Sequence, residues 1–441
     1  MNITSNIKRE RIVQELSPKT FSKIGVYWVI ALSIMCSIGL FAYVRQLNKG
    51  LVVTNMGDYV SWGIYISNFV FFVAISLVGS LITAIFRLAN IEWSKPLTRI
   101  AEIIAVSAIF LASLIIIVDM GRPERLLNLA LHPRLQSPIM WDVVVIGTYL
   151  IISVLLLYFP MIPDLKLLSK ANSAVRRTWP QGIYKVLSSF WTGSSEQRKN
   201  NGHSITILSI LIIPVAFCIH TVTSWLFATT YRPGWDSTNF GAYFVSGAFL
   251  VGAGGVVIAM YVIRRAYQLE HYITEAHFDR MGKAVVLLCF LYLYFNINEY
   301  LVPAFKMKKP EEAHLTQLFA GSFAPMFWFA VIVGMLLPIL ILINKWGRSP
   351  GWTFAASIMV VIGAWFKRYL IVTPTLLHPL LPMRDVPERF KHYFPSWEEW
   401  AIAMGSLAGA MLIITLFVRF FPIIPIQETI TGHDEEEEKL I

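Results

Sequence analysis

Charge is scarce in this sequence. Of 441 residues only 15% are Asp, Glu, Lys or Arg, while 56% are hydrophobic. Soluble domains carry nearer a quarter charged residues, so an ordinary soluble domain is excluded. Cysteine is scarcer still. Cys36, Cys218 and Cys289 lie far apart, each inside an apolar run, with no C-x-x-C. Three such thiols cannot build a disulfide framework or hold an iron–sulfur cluster by themselves, and they read as small packing residues. Paired histidines are missing too. Only His220 falls within an apolar run, whereas His132, His314 and His378 fall in expected loops, which argues against two haems held between facing helices. The strict alternation of barrel strands is absent as well. The stretch "NITSNIKRERIVQELSPKTFSK" is too long and mixed for a signal-peptide start and precedes no small-residue cleavage site, so the first apolar run reads as a retained helix.

What remains is apolar length. Mean hydropathy is +0.60, and runs long enough to cross about 30 Å of hydrocarbon recur along the chain. Ten spans are expected, at 24–44, 61–86, 99–118, 139–159, 205–229, 240–263, 280–301, 324–344, 351–372 and 399–421. The fold class is therefore an all-α polytopic membrane protein. Lys and Arg concentrate in the N-terminal segment and the 160–204 loop, which places both termini inside, that is cytoplasmic. The tail "HDEEEEKL" reads as solvated. The net charge of +10 then belongs to topology and anionic lipid, and nothing points to nucleic acid.

The spans contain a weak internal repeat. "SPIMWDVVVIGTYLI" in the fourth span resembles "FAPMFWFAVIVGMLL" in the eighth, and "LTRIAEII" in the third resembles "FDRMGKAV" in the seventh. Two four-helix bundles follow, in parallel orientation. The division expected is 1–60 for the N-terminal segment and first helix, 61–229 for the first bundle, 230–372 for the second, and 373–441 for an outer loop, last helix and acidic tail. Asp142 aligns with Phe329 and Glu102 with Lys283. The second copy drops both acids, so the first bundle is expected to be the functional one and the second more structural.

Topology brings Asp58, Asp119, Arg122, Asp142 and His220 towards the outer end of the first bundle. Ionisable groups at membrane depth default to functional candidates. His220 is well inside its span, where an imidazole can hydrogen-bond a carbonyl and exchange a proton near neutral pH. Bland readings stand beside these. Asp142 could be a helix N-terminal acid favoured by the dipole, and Arg122 could pair with Asp119. Glu102, one turn after Arg99, could begin a proton path or form a surface ion pair. Trp62, Trp141, Trp225 and Trp235 suit an interfacial belt. Gly252, Gly254 and Gly255 suit close helix approach, and Lys367 and Arg368 suit snorkelling.

The segments "NMGDYVSWGIYISNFVFF", "DMGRPERLLNL", "SPIMWD", "HTVTSWLFA" and "RPGWDSTNFGAYFVSGAF" together resemble the NrfD/PsrC family, membrane subunits of polysulfide-reductase-like respiratory complexes. Within it the likeness is greatest to the quinol-oxidising membrane subunits of alternative complex III. The resemblance implies a subunit without haem or cluster of its own, with menaquinone or ubiquinone bound near the outer face of the first bundle. It implies an iron–sulfur, ferredoxin-like partner, with molybdopterin-type or multihaem cytochrome partners beyond it, and it allows a second paralogous membrane subunit. The location implied is a bacterial or archaeal inner membrane. Residue by residue, Asp119 and Arg122 match the family's acid-then-G-R-P turn, Asp142 the acid after Trp, and His220 the helix histidine. His220 and Asp142 would then bind quinone and move its proton, Asp119 and Arg122 would orient the entrance, Tyr65, Asn68 and Trp141 would line the site, and Asp142 with Glu102 would mark a proton path. Two other classes stay open: a secondary transporter or ion channel, disfavoured by the lack of matched broken half-helices, and a purely structural anchor of a molybdoenzyme complex.

Overall fold

A computed structural model describes residues 3–170, 181–230, 232–378, 385–388 and 391–431. Among the described residues there is no strand. Ten helices are long and apolar enough to cross a membrane, as expected. They are α1 (Lys23–Lys49), α2 (Ile64–Leu88), α3 (Lys95–Asp119), α4 (Pro138–Tyr158), α5 (Ser195–Ala228), α6 (Phe240–Tyr267), α7 (Glu275–Lys306), α8 (Ala324–Leu342), α9 (Pro350–Leu376) and α10 (Trp397–Phe420). The chain is a multi-pass membrane protein. The largest departure in helix ends is α5, which starts ten residues before its apolar run. Its polar first turns are held by Ser194, whose side chain accepts from the Gln197 amide, and by Glu196 at the positive end of the dipole. The acidic tail lies outside the described residues.

The loops divide between two faces. The distal face carries the connections α1–α2, α3–α4, α5–α6, α7–α8 and α9–α10. The terminal face carries the other connections and both ends of the described residues.

Helix α2 is the hub. It packs against α3, α5, α6, α9 and α10, and 78% of its apolar window is buried, against 11% for α1. The sequence explains the difference. "FVFFVAISLVGSLITAIF" is apolar all round and sprinkled with small residues, so every side can meet protein. Gly79 shows how close the fit is: a Cβ there would collide with the Ala101 carbonyl oxygen of α3. Contacts α2–α3, α3–α4, α4–α5 and α5–α2 close one ring; α6–α7, α7–α8, α8–α9 and α9–α6 close another. Helices α1 and α10 pair alongside, crossing at Gly39 and Gly405. The expected close approach holds at Gly252, against Val78, and at Gly254, against Val361, while Gly255 makes only ordinary contact. Within α8 a π turn over Ile332–Leu336 precedes Pro338, a usual way for a helix to absorb a missing donor.

Cysteine packing is mixed: Cys289 is buried, but Cys218 is exposed on α5 and so is not a packing residue. Glu102 does not make a surface pair with Arg99. It is buried within 2.5 Å of Arg87 from α2. Arg99 turns instead to Asp164, in the short helix Ile162–Lys170, at 2.8 Å. The reason is helix rotation. Both side chains point into the protein, where each buried charge needs a partner on a neighbouring element.

Candidate functional site

Helix α4 opens with Pro138 in its first turn, and Asp142 follows one turn later on the side facing α5. Its carboxylate is 2% exposed and accepts a hydrogen bond from the Thr223 hydroxyl of α5 at 2.6 Å. Asp142 is therefore not a solvated helix cap. Its partner lies on another helix, and the contact ties α4 to α5. His220 stands three residues before Thr223, on the same face of α5. It is fully buried, and neither ring nitrogen has a well-formed hydrogen bond. The Arg368 guanidinium acts on the ring electrostatically, and the Ala216 carbonyl one turn back makes only a weak contact with it. Phe244 of α6 lies 6.4 Å from the imidazole. Towards the distal face Phe244 is followed by Phe227, Trp62 and Trp235, with ring centroids 5.0–6.1 Å apart. This aromatic column caps the polar site and keeps bulk water from it.

The other expected site residues go elsewhere. Tyr65 donates to Gln46 of α1 at 2.7 Å, and Gln46 donates on to the Val118 carbonyl of α3. Asn68 accepts from the Trp365 indole of α9 at 2.7 Å. Neither is bonded to the Asp142 cluster. Asp119 is half-buried beside Tyr65 and Glu399, with one carboxylate oxygen unpartnered. Arg122 and Asp58 are exposed, and no ion pair joins Arg122 to Asp119 among the described residues. Trp141 is 37% exposed, edge-on to the exposed Trp225 and donating to the Leu135 carbonyl. These two fit an aromatic belt. Trp235 does not: it is buried, and its indole donates to the Ile371 carbonyl at 2.7 Å.

The distal end of the second ring holds a buried polar cluster, contrary to the expectation of a mainly structural second bundle. Glu299 of α7 accepts from Ser237 at 2.7 Å and from Asn239 at 3.2 Å. Lys367 and Arg368 do not snorkel; they are 0% and 1% exposed. The Lys367 ammonium donates to the Tyr300 hydroxyl at 2.7 Å and lies over the Tyr300 and Phe327 rings at 4.5 Å. The Arg368 guanidinium lies 4.6 Å over Phe244, donates to its carbonyl, and keeps one buried nitrogen without a partner. The second copy thus loses acids at the aligned positions yet carries others nearby. Glu299 is an acid inside the expected seventh span, 280–301. A further carboxylate, Glu399 at the start of α10, accepts from the Tyr393 hydroxyl and from the Asn55 and Ser396 amides. Burial and that carboxylate hold the Tyr393 hydroxyl far above its ordinary range.

His314 is not a loop residue. It belongs to the helix Lys309–Phe319 and is 6% exposed, packed against Gly234, whose φ of +89° and lack of a Cβ let the ring approach. Burial first, then the nearby His378 and Lys367, lower its pKa to about 3. A histidine with a depressed folded-state pKa stabilises the fold fully above its unfolded value near 6.5, and that stability is lost progressively as pH falls below it. Between pH 7.5 and pH 5 the loss should be about 2 kcal/mol. The apparent unfolding midpoint should therefore fall over that interval, and His314→Leu should narrow the difference. An equal difference in both proteins would assign the acid sensitivity to other groups.

A family model for polysulphide reductase, NrfD, matches residues 52–379. The chain belongs to the NrfD family. Similar chains include a putative dimethyl sulfoxide reductase membrane subunit of Halobacterium salinarum, 26% identical over 92% of this chain and 93% of that one. The integral membrane subunit of menaquinone reductase from Nitratidesulfovibrio vulgaris is 24% identical over 90% and 91%. The integral membrane subunit of an Hdr-like menaquinol oxidoreductase from Archaeoglobus fulgidus is 22% identical over 90% and 93%. The NrfD match covers α2 to α9, and so both the Asp142–His220 cluster and the Glu299–Lys367 cluster. Among the described residues no group of three or more His, Cys, Asp or Glu is placed to hold a metal ion.

Proposed function

We propose that the chain is the quinone-binding membrane subunit of a respiratory reductase complex, passing electrons between quinol and an iron–sulfur partner docked on the distal face. That face is the outer one by the Lys/Arg distribution. The observation that carries the reading is His220, a fully buried imidazole with two ring nitrogens lacking well-formed bonds. A buried polar group without a partner is costly, and a quinone oxygen is the kind of partner it lacks. The surrounding Phe244, Phe227 and Trp62 suit a flat apolar ring.

A bound quinone supplies a couple of two electrons and two protons. The chain supplies what that couple needs. His220 orients an oxygen and can hold a proton at a ring nitrogen. Asp142, fixed by Thr223, offers its second carboxylate oxygen as proton acceptor. The aromatic column excludes water from the exchange. The two relatives named for menaquinone or menaquinol support menaquinone as the quinone. The relatives named as reductase subunits favour a reductase setting over alternative complex III.

Asp142→Asn tests the proton role, because the amide oxygen can still accept from Thr223 while proton acceptance is lost. Quinol turnover should fall by about 100-fold or more with assembly intact. Thr223→Val, which removes only the positioning bond, should have the smaller effect. Unchanged turnover in purified Asp142→Asn complex would remove Asp142 from the mechanism.

A further inference from the structure

The chemistry placed at His220 leaves Glu299 unused, although this acid is buried inside a membrane span. Such a group is expensive and defaults to a functional candidate. Glu299 lines a partly open cleft at the distal end of the second ring, between the 232–239 loop and the helix Lys309–Phe319. Tyr243, Tyr300, Glu311 and His314 line the same cleft. The His314 Nδ1 atom and the Glu311 Oε2 atom are buried there without partners, and the Tyr243 hydroxyl has no well-formed bond. Two unsatisfied polar atoms, with a weakly bonded hydroxyl beside them, call for a polar occupant in this small space. The space suits about one or two water molecules, each needing two to four such partners.

The groups facing Glu299 come from every surrounding element. Ser237 and Asn239 donate to it, and Asp236 adds a like charge from the same loop. Tyr243 stands on α6, and Tyr292 and Tyr300 on α7 itself. Lys367 of α9 is near enough to act on it electrostatically, but no ion pair within 4.0 Å joins them among the described residues. The carboxylate form therefore has two donors and a counter-charge in place, while the cleft offers a way out for its proton.

We infer that Glu299 exchanges a proton with the aqueous phase of the distal face through water held in this cleft. The Glu299 O–H bond breaks as the proton passes to a cleft water, and that water returns it to bulk. Ser237, Asn239 and the Lys367 ammonium then hold the carboxylate. His314, kept neutral by burial, orients the water and does not store the proton. The exchange needs no redox partner and stands independently of quinone binding at His220.

Infrared difference spectra of the whole complex in proteoliposomes, recorded between pH 5 and pH 9, test this. A protonated-carboxyl band that titrates and shifts in deuterium oxide is expected in the wild type. Glu299→Gln should abolish it, and His314→Leu should slow its deuterium exchange at least tenfold. Where Glu299→Gln does not assemble, dicyclohexylcarbodiimide should modify the wild-type protein within the peptide containing Glu299. A band that survives Glu299→Gln, exchange unaffected by His314→Leu, or the absence of a carbodiimide adduct on Glu299 would each overturn the inference. Loss of quinol turnover in a His220 variant with the band intact separates this site from the quinone reading.

Discussion

His220→Leu should lower quinol turnover by at least about 100-fold and yet leave the assembled complex as stable as before, or more so. The combination follows from the missing hydrogen bonds. A structural histidine would hold a partner, and removing it would orphan that partner at a cost of about 1–3 kcal/mol. His220 has no well-formed bond to lose. Leucine fills similar space beside Phe244 and relieves an unsatisfied buried imidazole. Turnover and the apparent melting midpoint, measured on the same preparation, therefore separate the two readings. A falling midpoint with normal turnover would make His220 a packing residue. A quinone analogue should also raise the midpoint of the wild type and not of the variant, since a ligand stabilises only what binds it.

Depth was easier to read from the sequence than direction. Asp142 and His220 stood out because each is polar within an apolar run, and hydropathy alone places them below the membrane surface. Which way a side chain points is set by helix rotation, and around a helix buried on all sides the sequence holds no polar face to show it. That is why Tyr65 and Asn68, one turn apart on α2, could be expected beside Asp142 and yet bond to Gln46 and Trp365. A place near a helix end predicts snorkelling for Lys367 and Arg368. Both instead point into the second ring, where Tyr300 and Phe327 cover Lys367 and Phe244 covers Arg368. The repeat misled in an instructive way. Phe329 replaces the acid at one aligned position, but a bundle can keep a buried acid on a different helix, as Glu299 does on α7. Comparing aligned positions tests a residue, not the polarity of a bundle.

The terminal face carries the other large expected effect, at Asp164→Ala. Asp164 is 0% exposed and takes three groups at once: the Arg99 guanidinium at 2.8 Å and the backbone amides of Ile426 and Gln427 at 3.1 and 2.8 Å. Arg99 in turn donates to the Pro422 and Pro160 carbonyls. The pair therefore pins the segment after α10 against the ends of α3 and α4. Removing the carboxylate leaves a buried guanidinium without its counter-charge and frees two amides, a loss of about 3–5 kcal/mol. The apparent melting midpoint should fall sharply, and limited proteolysis should reach residues 421–431. The double variant Arg99→Leu/Asp164→Leu should recover much of the midpoint, because two apolar side chains avoid the desolvation that the lone arginine suffers. Quinol turnover per assembled complex should change little in either, since Asp142 and His220 lie at the opposite end of the bundle. A proteolysis pattern and midpoint like those of the wild type in Asp164→Ala would mean that burial of Ile426 and Ile430 alone holds the segment. The ion pair would then serve only to neutralise Arg99.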